Sequence, residues 1–346
     1  MKDIREVARL ANVSIATVSN AFNYPERLSE KTLRRVLNAA AELDYYPNRM
    51  ASNLAGSKSK LIGIVIPEIF NNTYIRSVQG VMAEMNRYGY SVLLINVDKT
   101  PEGGLEAVRR LIEYRVAGAI VSGMASVVQP EHIRRLMDSG IRVVTTRREL
   151  ELCDCVRGDL RNALGELMAH LRELGHEALS AITPPLPDTG YEHSDLDDYV
   201  QPWFGFAREN GLRCDQKSIV KSRDASFEEG ERIAREWIAS GKELPTAVFV
   251  LHDRVACGLV AGLRRGGVRV PQDVSVVGRF GYEIAAYCDP PLDTIDTMDE
   301  TLGRMAAQAL LRRIEEPDRP FEHAHYDAAY VRRGSVTRAR TKTEEK

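Results

Sequence analysis

Apolar residues in the first 45 positions recur at helical spacing in three short stretches separated by polar turns. Ile4, Val7, Ala8 and Ala11 share one face of a first helix, with Asp3 as N-cap and Glu6 completing a capping-box pattern. After a tight Ala11-Asn12-Val13 turn, Ser14 caps a second helix. Ser29 caps a third, whose Leu33, Val36, Leu37, Ala40 and Leu43 keep the same period. None of the three is long enough to be stable alone, so they must share one small core. Beyond Pro47, residues 48–56 spell a two-turn helix ended by Gly56, and Ser57-Lys58-Ser59-Lys60 reads as a polar linker at a domain boundary.

From Leu61 the period changes. Apolar, strand-like runs at Leu61–Ile66, Ser91–Val97, Gly118–Ser122, Val143–Thr146, Ala178–Thr183, Ser218–Lys221, Ala247–Leu251 and Val274–Gly278 alternate with amphipathic helical patterns. Examples of the latter are Ile75–Tyr88, Leu105–Tyr114, Asn162–Leu174, Phe227–Ile238 and Arg254–Arg265. That alternation predicts parallel sheets with helices on both faces, and its length predicts two lobes. The expected fold is therefore an all-α head followed by a two-lobed α/β body. The head spans 1–47, a hinge and linker 48–60, and the body 61–334. Within the body the N-lobe takes about 61–160 plus 296–325 and the C-lobe about 161–295. Pro184–Asp198 reads as an exposed loop and 335–346 as a disordered tail.

Composition narrows the class. The chain is 44% apolar and 28% charged, as in soluble globular proteins, and no run approaches a membrane span. The charged start Met-Lys-Asp-Ile-Arg-Glu lacks a secretory signal's apolar stretch, so a cytoplasmic location is expected. The five cysteines are odd in number and form no Cys-x-x-Cys pair, which fits reduced thiols. Cys153-x-Cys155 and His323-x-His325 lack a second half at zinc-site spacing, and no metal or cofactor is expected. Residues 1–60 hold ten Lys/Arg against six Asp/Glu, a net +4, which leaves −6 for the rest. A basic head on an acidic body suggests a polyanionic partner for the head.

Two short capped helices with the small Ala8 near their crossing fit a helix-turn-helix, although a plain three-helix bundle fits the local pattern equally well. In the first reading the second helix presents Ser14, Ile15, Ala16, Thr17, Ser19 and Asn20 to DNA. Its small hydroxylated residues would approach phosphates and Asn20 would read base edges.

The segment Ile4-Arg5-Glu6-Val7-Ala8-Arg9-Leu10-Ala11-Asn12-Val13-Ser14-Ile15-Ala16-Thr17-Val18-Ser19-Asn20 resembles the head of the lactose/galactose-repressor (LacI/GalR) family. Val36 to Asn48, the hinge through Leu54, Val270 to Gly278 and Asp289 to Ile295 carry the likeness almost end to end. The resemblance implies a two-lobed body like periplasmic binding proteins and a homodimeric transcriptional repressor on a pseudo-palindromic double-stranded operator. It also implies a hinge helix in the minor groove, with Asn48, Ala51 and the wedge residue Leu54 at the DNA. Asn20 stands where the family usually has arginine, and Ser52 and Ala55 where basic residues are common.

Ligands of open parallel sheets bind beyond the C-terminal strand ends. Here those ends offer Glu68, Asn71, Asn72 and Tyr74; Arg147, Arg148 and Asp159; His252 and Asp253; and Arg279, Phe280 and Tyr282. The resemblance implies a small-molecule effector between the lobes, with Tyr74 and Asp253 where the family has a ligand-contacting aromatic and aspartate, Trp203 at an aromatic core position and Tyr199 near an effector-contacting arginine. The strand ends add Asn72, Arg147, Arg148, Arg279 and Phe280 as candidate effector contacts. Relatives often end one strand with Asp-Arg and another with Gly-Phe-Asp-Asp. This chain has Arg147-Arg148 and Gly278-Arg279-Phe280-Gly281, exchanging carboxylates for arginines. A sugar acid or phosphorylated sugar is the expected effector, unless Arg147 and Arg279 face solvent or pair with Glu283 and Asp159.

Two other classes stay in view. An exported solute-binding protein shares the body fold but not the head, and control by a protein partner in place of a metabolite is open. An enzyme is disfavoured, because no Gly-x-Gly-x-x-Gly, Walker A or Gly-x-Ser-x-Gly motif occurs. The 337–346 tail lacks heptad leucines for a tetramer-forming coiled coil.

Overall fold

The computed structural model describes residues 3–46, 59–67, 69, 72–97, 100–122, 128–177, 179–183, 205–213 and 218–340. The chain divides into two units, residues 1–60 and 61–346.

In the first unit, helices α1 (Ile4–Leu10), α2 (Ile15–Asn23) and α3 (Glu30–Glu42) enclose a core of Val7, Ala8, Ala11, Val18, Ala21, Val36, Ala39 and Ala40. The three caps fall where the sequence sets them. Asp3 accepts from the Arg5 amide at 2.8 Å, Ser14 from Thr17 at 3.1 Å and Ser29 from Thr32 at 3.3 Å. Glu6 departs from the capping-box expectation, since its Oε2 is buried without a partner. Asn12 makes the tight turn by taking φ +48°, a left-handed conformation that short polar side chains tolerate.

The second unit contains two six-stranded sheets. The N-lobe sheet runs β11-β5-β4-β3-β1-β2 and the C-lobe sheet β12-β10-β9-β8-β6-β7. The N-lobe strands are β1 (Leu61–Ile66), β2 (Ser91–Asn96), β3 (Gly118–Ser122), β4 (Arg142–Thr146), β5 (Asp154–Asp159) and β11 (His323–Asp327). The C-lobe strands are β6 (Leu179–Thr183), β7 (Ile219–Lys221), β8 (Ala247–Val250), β9 (Ser275–Arg279), β10 (Asp293–Asp296) and β12 (Ala329–Val331). All pairings are parallel except β10 with β12. Around them pack α4 (Asn72–Arg87), α5 (Pro101–Glu113), α6 (Pro130–Asp138), α7 (Arg161–Glu173), α8 (Phe227–Ala239), α9 (Asp253–Arg265), α10 (Glu283–Tyr287) and α11 (Asp299–Glu315). Among the described residues no helix is long and apolar enough to cross a membrane.

The chain crosses between lobes near 160, at 296–299 and near 328. The crossings are tied together: Ala328 N–H donates to Asp159 O at 2.8 Å, and Tyr326 Oη to Thr297 O at 2.7 Å.

Three differences from the sequence pattern have physical causes. β5 carries Asp154, Arg157 and Asp159 and so lacks an apolar run. Asp154 is nevertheless fully buried, taking Arg313 Nε at 2.8 Å, Arg319 Nη2 at 3.2 Å and the Glu322 amide at 2.8 Å. Burial pushes its pKa up, but these donors outweigh that and hold it below the usual carboxylate range. The pattern also marks none of the last three strands, β10, β11 and β12, and β12 returns the chain to the C-lobe past the expected limit at 295. Finally, 335–340 is not a disordered tail. Ser335 is fully buried, Thr337 N–H donates to Ser275 Oγ at 3.1 Å and Ala339 N–H to Leu174 O at 2.9 Å.

Candidate DNA-reading face and inter-lobe site

On α2 the residues split by face. Val18 and Ala21 are buried, while Ser14, Ile15 and Ala16 are exposed and Thr17, Ser19 and Asn20 half-buried. Ile15 is 47% exposed, a large apolar side chain that the core does not use. The Ser14 and Thr17 hydroxyls lie 2.8 Å apart, and Ser14 also caps the helix, so both are fixed at its start. Five of the six predicted contacts thus lie in one helix, and Ser14 caps it, while the helix's buried side is spent on the core. Asn48, Ala51 and Leu54 lie outside the described residues, as do Glu68, Asn71, Tyr199 and Trp203.

In the second unit the C-terminal strand ends bring most of the predicted residues to the lobe boundary, in unequal roles. Asn72 opens α4 and is exposed. Tyr74 is 6% exposed and packs in the N-lobe core with Ile64, Val78 and Val81. It lines a cavity of about 20 Å³ together with Ser122, Thr146 and Arg147. That is room for one water, not an effector.

Asp253, expected at the effector, supports the turn that follows β9. It is fully buried, with Oδ1 accepting from Thr294 Oγ1 and Oδ2 from the Tyr282 amide, both at 2.7 Å. Only a glycine at 278 leaves space for it, because a Cβ there would stand 2.0 Å from Oδ1. Burial raises its pKa to about 7 in spite of those two donors.

Asp253 thereby holds an aromatic turn. Phe280 and Tyr282 stack at 5.6 Å and 17°, and His252 meets each ring edge-on at 5.3 Å. Phe280 takes φ +99°, costly for a residue with a Cβ, and Gly281 follows at +67°. The Arg279 guanidinium lies 4.5 Å above the Phe280 ring and the residue is 7% exposed. His252 is 7% exposed. Burial, with Arg254 and Arg279 nearby, lowers its pKa to about 4. Its Nδ1 accepts from the Arg254 amide at 3.3 Å, so the neutral ring carries its proton on Nε2.

The N-lobe side is polar. Arg147 pairs with the fully buried Asp299, which also accepts from Thr297 Oγ1 at 2.9 Å. Neither Glu283 nor Asp159 is its partner, and Asp159 instead binds Arg161. Arg148 is half-buried, its carbonyl taking the Thr145 hydroxyl at 2.8 Å. Arg76, one turn along α4 from Asn72, donates to the carbonyls of Phe280 and Gly281 at 3.4 and 3.1 Å and lies 3.7 Å from Asp296. Thr73 Oγ1 and Tyr282 Oη are 2.7 Å apart. Arg76 thus faces Asp296 and Arg147 faces Asp299, while Arg279 lies over the Phe280 ring.

Sequence reasoning passed over Thr73, Arg76 and Asp299. The first two were within reach, since they follow Asn72 at i+1 and i+4 on α4. Asp299 was not, because nothing local distinguishes it from a helix-starting acid. A groove of about 530 Å³ between Arg264, Arg269, Pro271 and Asp289 is elsewhere on the C-lobe, and its arginines pair with Asp289 and Asp273. Cys153 and Cys155 are buried thiols, pushed up to about 11 and about 12 chiefly by burial. His325 faces Glu149 at 3.3 Å, and no metal-holding group of His, Cys, Asp or Glu occurs among the described residues.

Known proteins match this arrangement across the chain. Residues 3–48 match the family model "Bacterial regulatory proteins, lacI family", and residues 168–336 match "Periplasmic binding protein-like domain". The chain is 30% identical over 326 residues to the HTH-type transcriptional repressor PurR of Vibrio atlanticus (strain LGP32), covering 92% of this chain and 93% of that protein. It is 28% identical over 317 residues to the HTH-type transcriptional repressor CytR of Escherichia coli (strain K12), covering 90% and 89%. In structure it resembles the lac repressor dimer bound to operator and the anti-inducer ONPF. The TM-score is 0.82 at 24% identity, over 97% of this chain and 99% of that one, a likeness of fold.

Proposed function

Since the chain belongs to the lacI family of bacterial regulatory proteins and is a DNA-binding transcriptional repressor, not an enzyme, we propose that it works as a homodimer controlled by an acidic small molecule. Each head reads one half-site of a pseudo-palindromic operator. The observation that carries the head's part is the capped helix α2, with Val18 and Ala21 committed to the core and Ser14, Ile15 and Ala16 left outside. Its Ile15 and Ala16 suit a thymine methyl, its hydroxyls suit phosphates, and Asn20 suits a base edge. Asn48, Ala51 and Leu54 enter the minor groove in this reading. Leu54→Ala therefore weakens specific binding and leaves non-specific binding nearly unchanged.

The effector's part rests on the charge at the lobe boundary. Arg279, stacked on Phe280, stands at a strand end where relatives often carry Gly-Phe-Asp-Asp, and Arg147 ends another where they often carry Asp-Arg. A guanidinium recognises carboxylate or phosphate by paired hydrogen bonds, more strongly where water is partly excluded. A sugar acid or phosphorylated sugar suits this site better than a neutral sugar. Calorimetry with matched neutral, acidic and phosphorylated sugars tests it. Binding of the charged members, lost in Arg279→Ala, supports the reading, and preference for a neutral sugar removes it. A second reading, control by a protein partner, gains from one observation: the lobes already contact each other through their own side chains. Failure of every sugar to bind selects it.

A further inference from the structure

The aromatic turn between β9 and α10 makes contacts that neither DNA binding nor a charged effector requires. Tyr282 belongs to the C-lobe, yet its hydroxyl meets Thr73 of the N-lobe helix α4 at 2.7 Å in a buried setting. Its ring is 1% exposed, shared between Phe280 and His252 within its own lobe. From the same helix, Arg76 reaches the two preceding carbonyls of the turn. Those carbonyls are available because Phe280 and Gly281 both hold positive φ, which turns the peptide groups towards the N-lobe. A Cβ at 281 would stand 2.3 Å from Asp296 Cγ, so glycine is needed for this approach. The backbone strain at Phe280 persists because the Asp253–Tyr282 bond on one side and Arg76 on the other hold the turn in place.

We propose that the Phe280–Tyr282 turn is a built-in latch, holding the two lobes together through Thr73 and Arg76. The proposal does not depend on the effector's identity. The chain itself supplies the bridging groups that a bound ligand supplies in a two-lobed receptor that closes on its ligand, and an entering ligand or partner acts by competing with Tyr282. The latch is polar at its tip and aromatic at its base, so it can open without exposing a large apolar surface at the N-lobe.

Solvent access to Tyr282 reads the latch directly. Hydroxyl-radical footprinting of the full-length, ligand-free protein, resolved by mass spectrometry, compares Tyr282 with Tyr287, which is 77% exposed and five positions on. A closed latch leaves Tyr282 oxidised far more slowly than Tyr287. Loss of one buried hydrogen bond shifts such an equilibrium by about tenfold, so Thr73→Val and Arg76→Met each raise Tyr282 oxidation by up to that factor. Thr73→Ser, which keeps the hydroxyl, restores wild-type protection. The half-buried Trp237 of α8 serves as reference, its oxidation unchanged in any variant that keeps the C-lobe folded. The latch is overturned if wild-type Tyr282 reacts as fast as Tyr287, or if Thr73→Val and Arg76→Met leave its rate unchanged. A variant that also speeds Trp237 is set aside for Thr73→Ser against wild type, where a difference in Tyr282 oxidation alone counts against the latch.

Discussion

Asp299, the first residue of α11, receives the guanidinium of Arg147 from the end of β4, 152 positions earlier in the chain. Burial raises the Asp299 pKa, and Arg147 with Thr297 pulls it back. Oδ2 has no partner, so the ion pair is only half satisfied. Arg147 holds φ +66°, in the left-handed region.

Breaking such a pair on one side costs more than replacing both sides. Arg147→Ala leaves a buried carboxylate uncompensated and destabilises the body by about 3–5 kcal/mol, whereas Arg147→Met combined with Asp299→Leu recovers most of that loss. Urea denaturation of the three proteins measures it. A double variant as unstable as the single one would show that the site needs the charges themselves.

Asp253 and His252 make opposite contributions to the dependence of stability on pH. Asp253 has a folded pKa of about 7 against an ordinary 3.8, so the stability it adds is complete below about pH 4 and is lost as pH rises through 7. His252 has a folded pKa of about 4 against 6.5, so its contribution is present above pH 6.5 and lost as pH falls through 4. Asp253→Asn removes the first and keeps the second. It costs about 1–3 kcal/mol at pH 5 through the two bonds it disturbs, and less at pH 8. Denaturation at the two pH values decides, and an equal cost at both removes the assignment.

Asn20 sits half-buried on α2, behind the exposed Ser14–Ala16 turn. An asparagine amide suits adenine N6 and N7, so selection from a randomised operator is expected to yield A·T opposite Asn20. Asn20→Arg shifts the preference to G·C by about 1–3 kcal/mol. Selection of guanine by the wild-type head, lost in Asn20→Ala, would reverse this assignment.

Ser335 ties the end of the chain into the C-lobe sheet. Its Oγ donates to the Val276 carbonyl and accepts the Asp293 amide at 2.7 Å, and its own N–H donates to Asp293 Oδ1 at 3.0 Å. Ser335→Ala costs about 1–3 kcal/mol. Each kcal/mol lowers the body's thermal midpoint by about 2–4 °C in a calorimetric scan. A midpoint within error of wild type would mean that these residues only rest on the sheet.

The sequence by itself determined what short-range physics controls. Asp3, Ser14 and Ser29 cap helices because a side-chain oxygen within three residues of an open amide suffices. The β-branched runs from Leu61 to Gly278 become strands because apolar segments of that length and period have few alternatives. The family motifs identified the head, and helix periodicity alone separates the core face of α2 from its outward face. Only the tertiary structure decided where charge is spent. β5 is a strand because Arg313 and Arg319 arrive from 159 and 165 positions away to neutralise Asp154. Asp253 supports the turn after β9, because Thr294 and the Tyr282 amide bond both its oxygens. Arg147 finds Asp299, and Thr73 finds Tyr282, across distances along the chain over which hydrophobic periodicity has no reach. Local pattern fixes which face of an element is buried. The partner of a buried polar group is fixed by whichever distant segment packing brings within hydrogen-bonding range, since an unpaired charge there costs more than the fold can spare.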